Sequence, residues 1–228
     1  MIVVVDAKNP YLAEALAARC TVRTLPTAEI TRAALKDADA VVVRSETHVD
    51  AGLLDGTRVR FVGTATIGTD HVDTDYLTGR GIEFASAPGS NANSVAEYVA
   101  TALLVVAGRL GLALRGLTLG VVGVGNVGSR VARVGEALGM RVLLNDPPLA
   151  RKTGDPRYLP IDALMDADIM TLHVPLTTEG VDATHHLWNV TRIDRMKTGS
   201  VLVNTSRGGV VDSAALLNSL TRKHLRAA

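Results

Sequence analysis

Short runs of apolar, β-branched residues alternate along the chain with stretches in which apolar residues recur every three or four positions. This alternation is typical of a parallel sheet joined by crossover helices, and runs this apolar predict strands covered on both faces. Pro10, followed by Leu12 and Leu16 at helical spacing, predicts a helix after the first strand. The predicted strands of this first part are 2–6, 21–24, 40–44, 60–63 and 82–86.

A long apolar helix is predicted to begin at Ser94. Ser94 and Glu97 have the spacing of a capping box, and the residues that follow are apolar as far as Gly108. Because the helix is apolar on nearly all sides, we expect it to be buried and place a domain boundary there, giving domains at 1–94 and 95–228.

A second alternating series follows this helix. We expect an α/β protein with two doubly wound parallel sheets, because each half repeats the strand and helix alternation. The predicted strands of the second half are 118–122, 141–145, 169–172 and 200–204, with helices at 127–138 and 160–165.

Composition and charge narrow the classes of partner. The 24 basic and 23 acidic residues are scattered, so no basic patch favours nucleic acid or an anionic membrane, and a small-molecule ligand is expected. The longest apolar run, 99–108, is shorter than the roughly 20 residues of a membrane span. A single cysteine, Cys20, and a beginning that does not look like a secretion signal indicate a cytoplasmic protein.

The sequence Gly123-Val124-Gly125-Asn126-Val127-Gly128 lies between a predicted strand and a predicted helix. Its first glycine permits a tight turn, its second lets a pyrophosphate approach the backbone, and its third lets helix and strand pack closely. The helix N-terminus then faces the phosphates. This pattern indicates a dinucleotide site, although similar turns also occur for structural reasons and in methyltransferases.

Asp146 ends the next predicted strand, where a carboxylate is expected to accept hydrogen bonds from the adenosine ribose. A carboxylate here would repel the 2′-phosphate of NADP, so NAD is the predicted cofactor, although Arg151 and Lys152 follow closely. The alternative is that Asp146 only begins the turn Asp146-Pro147-Pro148.

Three motifs occur together and in order: the glycine motif, His173-Val174-Pro175-Leu176-Thr177, and Asn204-Thr205-Ser206-Arg207-Gly208-Gly209. With them the chain resembles the D-2-hydroxyacid dehydrogenases over nearly its whole length. Residues 43–45, 61–73 and 146–148 resemble the branch that acts on 4-phosphoerythronate. The resemblance implies a flavodoxin-like substrate domain, a Rossmann NAD domain that lacks its last strands, and hydride transfer from C2 of 4-phospho-D-erythronate to NAD on the route to pyridoxal phosphate.

The resemblance also implies roles for individual residues. A planar guanidinium suits the catalytic position because it can hold a carboxylate and stabilise charge that develops on oxygen. The loop at 64–69 is expected to offer backbone N–H groups to the substrate carboxylate, and Arg44 either meets the substrate phosphate or is an exposed strand end. The matching positions are Ser45 and Thr66 for substrate, Asn126, Val127 and Asp146 for NAD, and Arg207 for catalysis.

The family also uses an acidic residue and a histidine, which the resemblance places beyond the position of Leu217, in sequence that does not match here. None of the histidines has metal-ligand spacing or an assigned catalytic role, and His224 is expected to lie in a frayed basic tail. Strand 200–204 is expected to be an uncovered edge, and the branch's dimerisation region is not found.

Three interpretations therefore stand. The chain is a 4-phosphoerythronate dehydrogenase, a relative that binds NAD without catalysis, or another dehydrogenase of this family, for example one for 3-phosphoglycerate or glyoxylate. Ser45, Thr66 and the turn Asp146-Pro147-Pro148 favour the first interpretation over the third. The missing histidine favours the second for these 228 residues.

Overall fold

The structure is a computed structural model that describes residues 1–66 and 68–228. It divides into two compact units, Met1–Asn91 and Ala92–Ala228, close to the expected boundary at residue 94. None of the helices in the described part of the chain is long and apolar enough to cross a membrane.

In the described residues of the first unit, a parallel sheet has the order β2-β1-β3-β4-β5. This is the flavodoxin-like order, in which the chain reverses direction across the sheet between β1 and β3. The strands are β1 Ile2–Asp6, β2 Thr21–Leu25, β3 Ala40–Val43, β4 Phe61–Thr64 and β5 Glu83–Ser86. The helices are α1 Leu12–Ala17, α2 Arg32–Leu35, α3 Ala51–Leu54 and α4 Thr74–Gly79, with a 3-10 turn at Thr27–Glu29.

The first sheet buries apolar side chains on both faces, as its continuous apolar strands predict. Val4 and Val41 point into one cluster, whereas Val3 and Val5 point into the other. The predicted first helix is present but begins at Leu12 rather than at Pro10. Tyr11 has a left-handed backbone with φ 66°, which separates the proline from the helix.

In the described residues of the second unit, the sheet is parallel with the order β7-β6-β8-β9. The strands are β6 Thr118–Val122, β7 Arg141–Asn145, β8 Ile169–Leu172 and β9 Val201–Asn204. The helices are α5 Ala92–Leu110, α6 Gly128–Ala137, α7 Pro147–Thr153, α8 Val190–Arg195 and α9 Ser213–Thr221. Two 3-10 turns lie at Ile161–Leu164 and Gly208–Val210.

In the second unit, two predicted elements differ from the structure, helix α5 and the segment at 160–165. Helix α5 begins at Ala92, two residues before the predicted capping box, because the buried Ala92 extends its packed face. The same helix is not buried on all sides, since Tyr98 and Leu104 are exposed. The segment predicted as a helix at 160–165 is a 3-10 turn, Ile161–Leu164.

Both edges of the second sheet are extended by single parallel bridges. Leu144 of β7 pairs with Tyr158, and Val201 of β9 pairs with Ala227. The bridges occupy the places of the outer strands in the 3-2-1-4-5-6 order of a dinucleotide fold. The predictions of an uncovered edge at 200–204 and of a frayed C-terminal segment are therefore wrong where Ala227 lies along β9.

Candidate functional site

The glycine motif forms the turn between β6 and α6. Gly123 has φ +83°, and a Cβ there would lie 2.6 Å from the carbonyl oxygen of His173. A Cβ on Gly128 would lie 1.9 Å from the carbonyl oxygen of Gly123. Gly125 differs, because a Cβ there would meet nothing within 4 Å. The outer glycines thus close the turn, and the middle glycine leaves open space beside the backbone, as a pyrophosphate requires.

No side chain caps the N-terminus of α6. The residue before the helix, Val127, provides no side-chain cap, so the first N–H groups have no partner from a capping side chain. Arg130 fixes the turn from within the helix, because its guanidinium donates to the carbonyl oxygen of Asn126 at 2.6 Å and to Oδ1 of Asn93 at 2.6 Å. Together these features fit the phosphates of a dinucleotide.

Asp146 connects the end of β7 to the glycine turn. Its Oδ2 accepts from the Val124 N–H at 2.8 Å, and its Oδ1 accepts from the Leu149 N–H at 3.0 Å. Asp146 therefore caps α7, with Pro147 in the first turn, so the predicted Asp-Pro-Pro turn is a helix start. A carboxylate has about four acceptor positions, and those left over can accept from ribose hydroxyls. The capping role and the ribose role are compatible.

Arg151, which follows Asp146 closely, is paired with an acidic side chain. The guanidinium of Arg151 forms an ion pair with the carboxylate of Asp182, with Nη1 3.2 Å from Oδ1. This side-chain hydrogen bond raises the pKa of Arg151. Because Asp182 already balances its charge, Arg151 is less available to a 2′-phosphate, in keeping with the predicted preference for NAD.

Arg207 follows β9 and is half-buried. Asn204 holds the backbone around it, since Asn204 Oδ1 accepts from the Ser206 N–H at 3.0 Å and Asn204 Nδ2 donates to the Arg207 carbonyl oxygen at 2.9 Å. Asn204 was not among the predicted site residues. An asparagine directly after a strand and followed by small polar residues is a turn signal that would have indicated it.

His173 lies between β8 and the loop that carries Arg207. Its Nε2 is 2.9 Å from Thr171 Oγ1 and its Nδ1 is 3.0 Å from Thr205 Oγ1. Burial lowers the pKa of His173 to about 4, because the charged imidazole would lose its hydration. At neutral pH the ring is therefore uncharged and bridges two threonines, which is a structural role.

His224 lies at the opposite end of β9 from Arg207. The Gly199 N–H, before the strand begins, donates to the His224 carbonyl oxygen at 2.7 Å. The His224 ring is half-buried, with Nδ1 3.3 Å from Thr198 Oγ1 and Nε2 3.0 Å from the Ile193 carbonyl oxygen. The segment around His224 is thus held by contacts, and the length of β9 separates it from the predicted catalytic arginine.

In the first unit, Ser45 follows β3 and Thr66 follows β4. These strands are neighbours, with Val43 paired to Thr64, so both predicted substrate positions lie at the carboxyl edge of the sheet. Ligands of open α/β sheets bind at this edge. Ser45 is exposed and Thr66 is half-buried. The predicted carboxylate loop at 64–69 includes residue 67, which lies outside the described residues.

Arg44 makes a contact within the first unit. Its Nη1 donates to the Lys8 carbonyl oxygen at 3.0 Å, and Lys8 pairs with Glu46 at 2.5 Å. These contacts tie the loop after β1 to the loop that carries Ser45. The Arg44 guanidinium retains further N–H donors, because it has five in all.

The sheet order and the glycine turn together define a dinucleotide-binding α/β protein. Residues 93–228 match the family model described as D-isomer specific 2-hydroxyacid dehydrogenase, NAD binding domain. The chain belongs to the D-isomer specific 2-hydroxyacid dehydrogenase family, and NAD is the cofactor of its second unit.

Individual relatives place the chain within the family. It is 51% identical to an erythronate-4-phosphate dehydrogenase of Salinibacter ruber over 99% of this chain and 59% of that protein. The chain thus spans about 59% of the length of this relative. NAD+-bound 3-phosphoglycerate dehydrogenase of Entamoeba histolytica is similar with a TM-score of 0.84 and 26% identity, covering 100% of this chain and 79% of that one. D-lactate dehydrogenase of Aquifex aeolicus, in complex with NAD and lactic acid, is similar with a TM-score of 0.81 and 29% identity, covering 98% and 74%.

Proposed function

We propose that this chain acts in the NAD-dependent oxidation of 4-phospho-D-erythronate to 2-oxo-3-hydroxy-4-phosphobutanoate, a step of pyridoxal phosphate biosynthesis. The supporting observation is the 51% identity to an erythronate-4-phosphate dehydrogenase across 99% of the chain. The two structural neighbours above act on different substrates at 26% and 29% identity, so the higher identity favours the phosphoerythronate branch.

The proposal divides the work between the units. The first unit, Met1–Asn91, is assigned to the substrate and contributes Ser45 and Thr66 to the phosphorylated hydroxyacid. The second unit, Ala92–Ala228, binds NAD and contributes the glycine turn and Asp146. Bound NAD would accept the hydride that leaves C2 of the substrate.

Arg207 is assigned to the substrate carboxylate and the C2 oxygen. A guanidinium has a planar fork of N–H donors that matches a carboxylate, and it stays charged as the C2 hydroxyl becomes a carbonyl. Asn204 holds the backbone of this residue through the Arg207 carbonyl oxygen, which would orient the side chain. A lysine, with one point charge, would replace this geometry poorly.

A second candidate is NAD binding without turnover by these 228 residues. Two histidines favour it: His173 is a weak base, because its pKa is lowered to about 4 and both ring nitrogens are bonded to threonines, and His224 lies at the other end of β9. Oxidation of a hydroxyacid needs a base near the C2 hydroxyl, and neither ring meets that requirement.

The test combines cofactor binding with turnover in the 228-residue chain. NADH binding is measured by fluorescence, and NAD reduction is followed by absorbance with 4-phosphoerythronate, 3-phosphoglycerate or glycolate as substrate. Arg207→Lys is compared with native protein, and Arg109→Lys, in the last turn of α5, is the matched control. Turnover restricted to 4-phosphoerythronate and lost only in Arg207→Lys is expected. NADH binding without turnover on any substrate would favour the second candidate. A native chain that does not bind NADH would contradict both candidate functions.

A further inference from the structure

A chain of side-chain hydrogen bonds runs through the loop after β4 and ends at Thr66. Thr66 Oγ1 lies 2.8 Å from Thr64 Oγ1, and Thr64 Oγ1 lies 3.0 Å from Nε2 of His71. His71 is 4% exposed and Thr64 is 3% exposed, whereas Thr66 is half-buried. The chain therefore connects the interior of the first unit to a residue that the proposed function places on the substrate.

The number of protons on each hydroxyl determines which atom donates in each of these hydrogen bonds. Thr66 Oγ1 is 3.3 Å from the Gly68 carbonyl oxygen, and only the hydroxyl can donate in that contact. Since a hydroxyl has one proton, Thr66 must accept from Thr64. Thr64 has then used its own proton and must accept from His71 Nε2, so the imidazole carries a proton on Nε2.

The direction makes Thr66 a donor rather than an acceptor at the outer end of the chain. Its present acceptor is held weakly, because 3.3 Å exceeds the usual 2.5–3.0 Å of an O–H···O bond. An anionic oxygen is a stronger acceptor than a carbonyl, and hydrogen bonds in series polarise one another. A substrate carboxylate or phosphate would therefore displace Gly68 as the partner of Thr66.

We propose that His71 and Thr64 are positioning residues that orient the Thr66 hydroxyl as a hydrogen-bond donor to an anionic oxygen of the substrate. The inference rests on the proposed function for the identity of the ligand. The direction of the hydrogen-bond chain does not rest on that function, because it is inferred from contacts within the protein alone. The two parts are therefore measured separately.

The direction of the chain is tested by nuclear magnetic resonance on protein with 15N-labelled histidine, without substrate. A proton bonded to His71 Nε2, identified by its one-bond nitrogen–proton coupling, is expected. The signal is assigned by its absence from His71→Gln. An unprotonated Nε2 at neutral pH would overturn the proposal, and this holds whether or not the chain proves to bind 4-phosphoerythronate.

The consequence for binding is tested with variants that remove single links. Thr64→Val keeps the shape of the side chain but interrupts the hydrogen bonds, and His71→Gln keeps an N–H donor near the position of Nε2. Calorimetry with 4-phosphoerythronate, in the presence of NADH, is expected to show about a tenfold loss of affinity for Thr64→Val, as for a weakened hydrogen bond to a charged group, and less for His71→Gln.

The controls separate positioning from folding. Thr78→Val removes an exposed threonine hydroxyl from α4 of the same unit and is expected to leave affinity unchanged. NADH affinity should be equal in all variants, and unfolding midpoints identify any variant that does not fold. The positioning role would be overturned if a folded Thr64→Val variant bound 4-phosphoerythronate as tightly as the native protein while Thr66→Val clearly lost affinity.

Erythronate, which lacks the phosphate, identifies the oxygen that Thr66 contacts. An equal loss for both ligands in Thr64→Val assigns the contact to the carboxylate, and a loss confined to the phosphorylated ligand assigns it to the phosphate. If native protein binds NADH but neither ligand, the proposed function fails. The resonance measurement then still decides whether Thr66 is the donor end of the chain.

Discussion

Each unit has a histidine that is hydrogen-bonded to threonine at the carboxyl edge of its sheet, but the hydrogen bonds of the two rings lead to different places. His173 has a threonine hydroxyl at each nitrogen, so its hydrogen bonds close within the second unit. His71 bonds through Thr64 to Thr66, and that chain leads outward to a candidate substrate contact. A similar local pairing of histidine and threonine therefore closes on itself in the second unit and leads to Thr66 in the first, where we propose that it orients the Thr66 hydroxyl.

The units also differ in what their candidate sites are made of. In the second unit the site is backbone, because glycines and an uncapped helix end shape the turn. In the first unit it is side chains joined by hydrogen bonds. A site made of backbone is disrupted when a substitution adds a side-chain atom. A site made of hydrogen-bonded side chains is weakened when a substitution removes a hydrogen-bonding atom, and this contrast can be tested.

Gly128→Ala should have the largest effect. Its Cβ would lie 1.9 Å from the Gly123 carbonyl oxygen, so the turn must shift, at a cost of about 3 kcal/mol or more in the free energy of unfolding, and NADH binding should be lost. Gly125→Ala is the matched control, because its Cβ meets nothing within 4 Å and its φ is not in the left-handed region. It should keep native stability yet weaken NADH, since the methyl group would enter the space of the pyrophosphate. Urea denaturation and NADH titration of both variants measure this, and equal stability of the two would contradict it.

The burial of the His173 ring predicts that the stability of the folded chain depends on pH. Its pKa is about 4 in the folded chain and 6.5 ordinarily, so the unfolded chain binds more protons between these values and stability falls as pH is lowered from 6.5 to 4. The loss from this group approaches about 3 kcal/mol at the acid end. His173→Gln does not titrate and should lack this part of the loss.

The measurement is urea denaturation at several pH values, comparing native protein with His173→Gln. His48→Gln, at an exposed position, is the control and should follow the native curve. If the difference between native protein and His173→Gln stayed constant from pH 6.5 to 4, the ring would not be held uncharged by burial.

Much of this architecture could be predicted because it depends on short-range signals. The central strands are apolar on both faces, and the bounds of all the strands were predicted to within about a residue at each end. Gly128 is required by a steric contact within the turn and Gly123 by its φ of +83° there, and such local requirements leave a motif that is visible in the sequence. Asp146 was predicted from its position at the end of the next strand, and the structure places its carboxylate on that turn.

The remaining features depend on contacts between distant segments. His224 was predicted to fray because a basic tail has no local reason to be ordered, yet its ring bonds to Ile193, 31 residues away. The Arg151–Asp182 pair likewise joins segments 31 residues apart. The link from His71 to Thr66 is local in sequence, but no motif distinguishes it from any loop that contains threonine and histidine. Hydrogen bonds of this kind between side chains are recognised only from the three-dimensional structure.

The smallest expected effect concerns Asp146, where the backbone site depends on one side chain. Asp146→Ala should weaken NADH about tenfold to hundredfold, since the ribose loses hydrogen bonds to a charged group, and should lower the free energy of unfolding by about 1 kcal/mol through loss of the α7 cap. Asp50→Ala removes the corresponding cap of α3 in the first unit, where Asp50 accepts from the Leu53 N–H at 3.0 Å. It should cost similar stability without changing NADH affinity. NADH titration and urea denaturation separate the two effects: equal losses of affinity in both variants would mean that helix capping, not the ribose contact, explains Asp146.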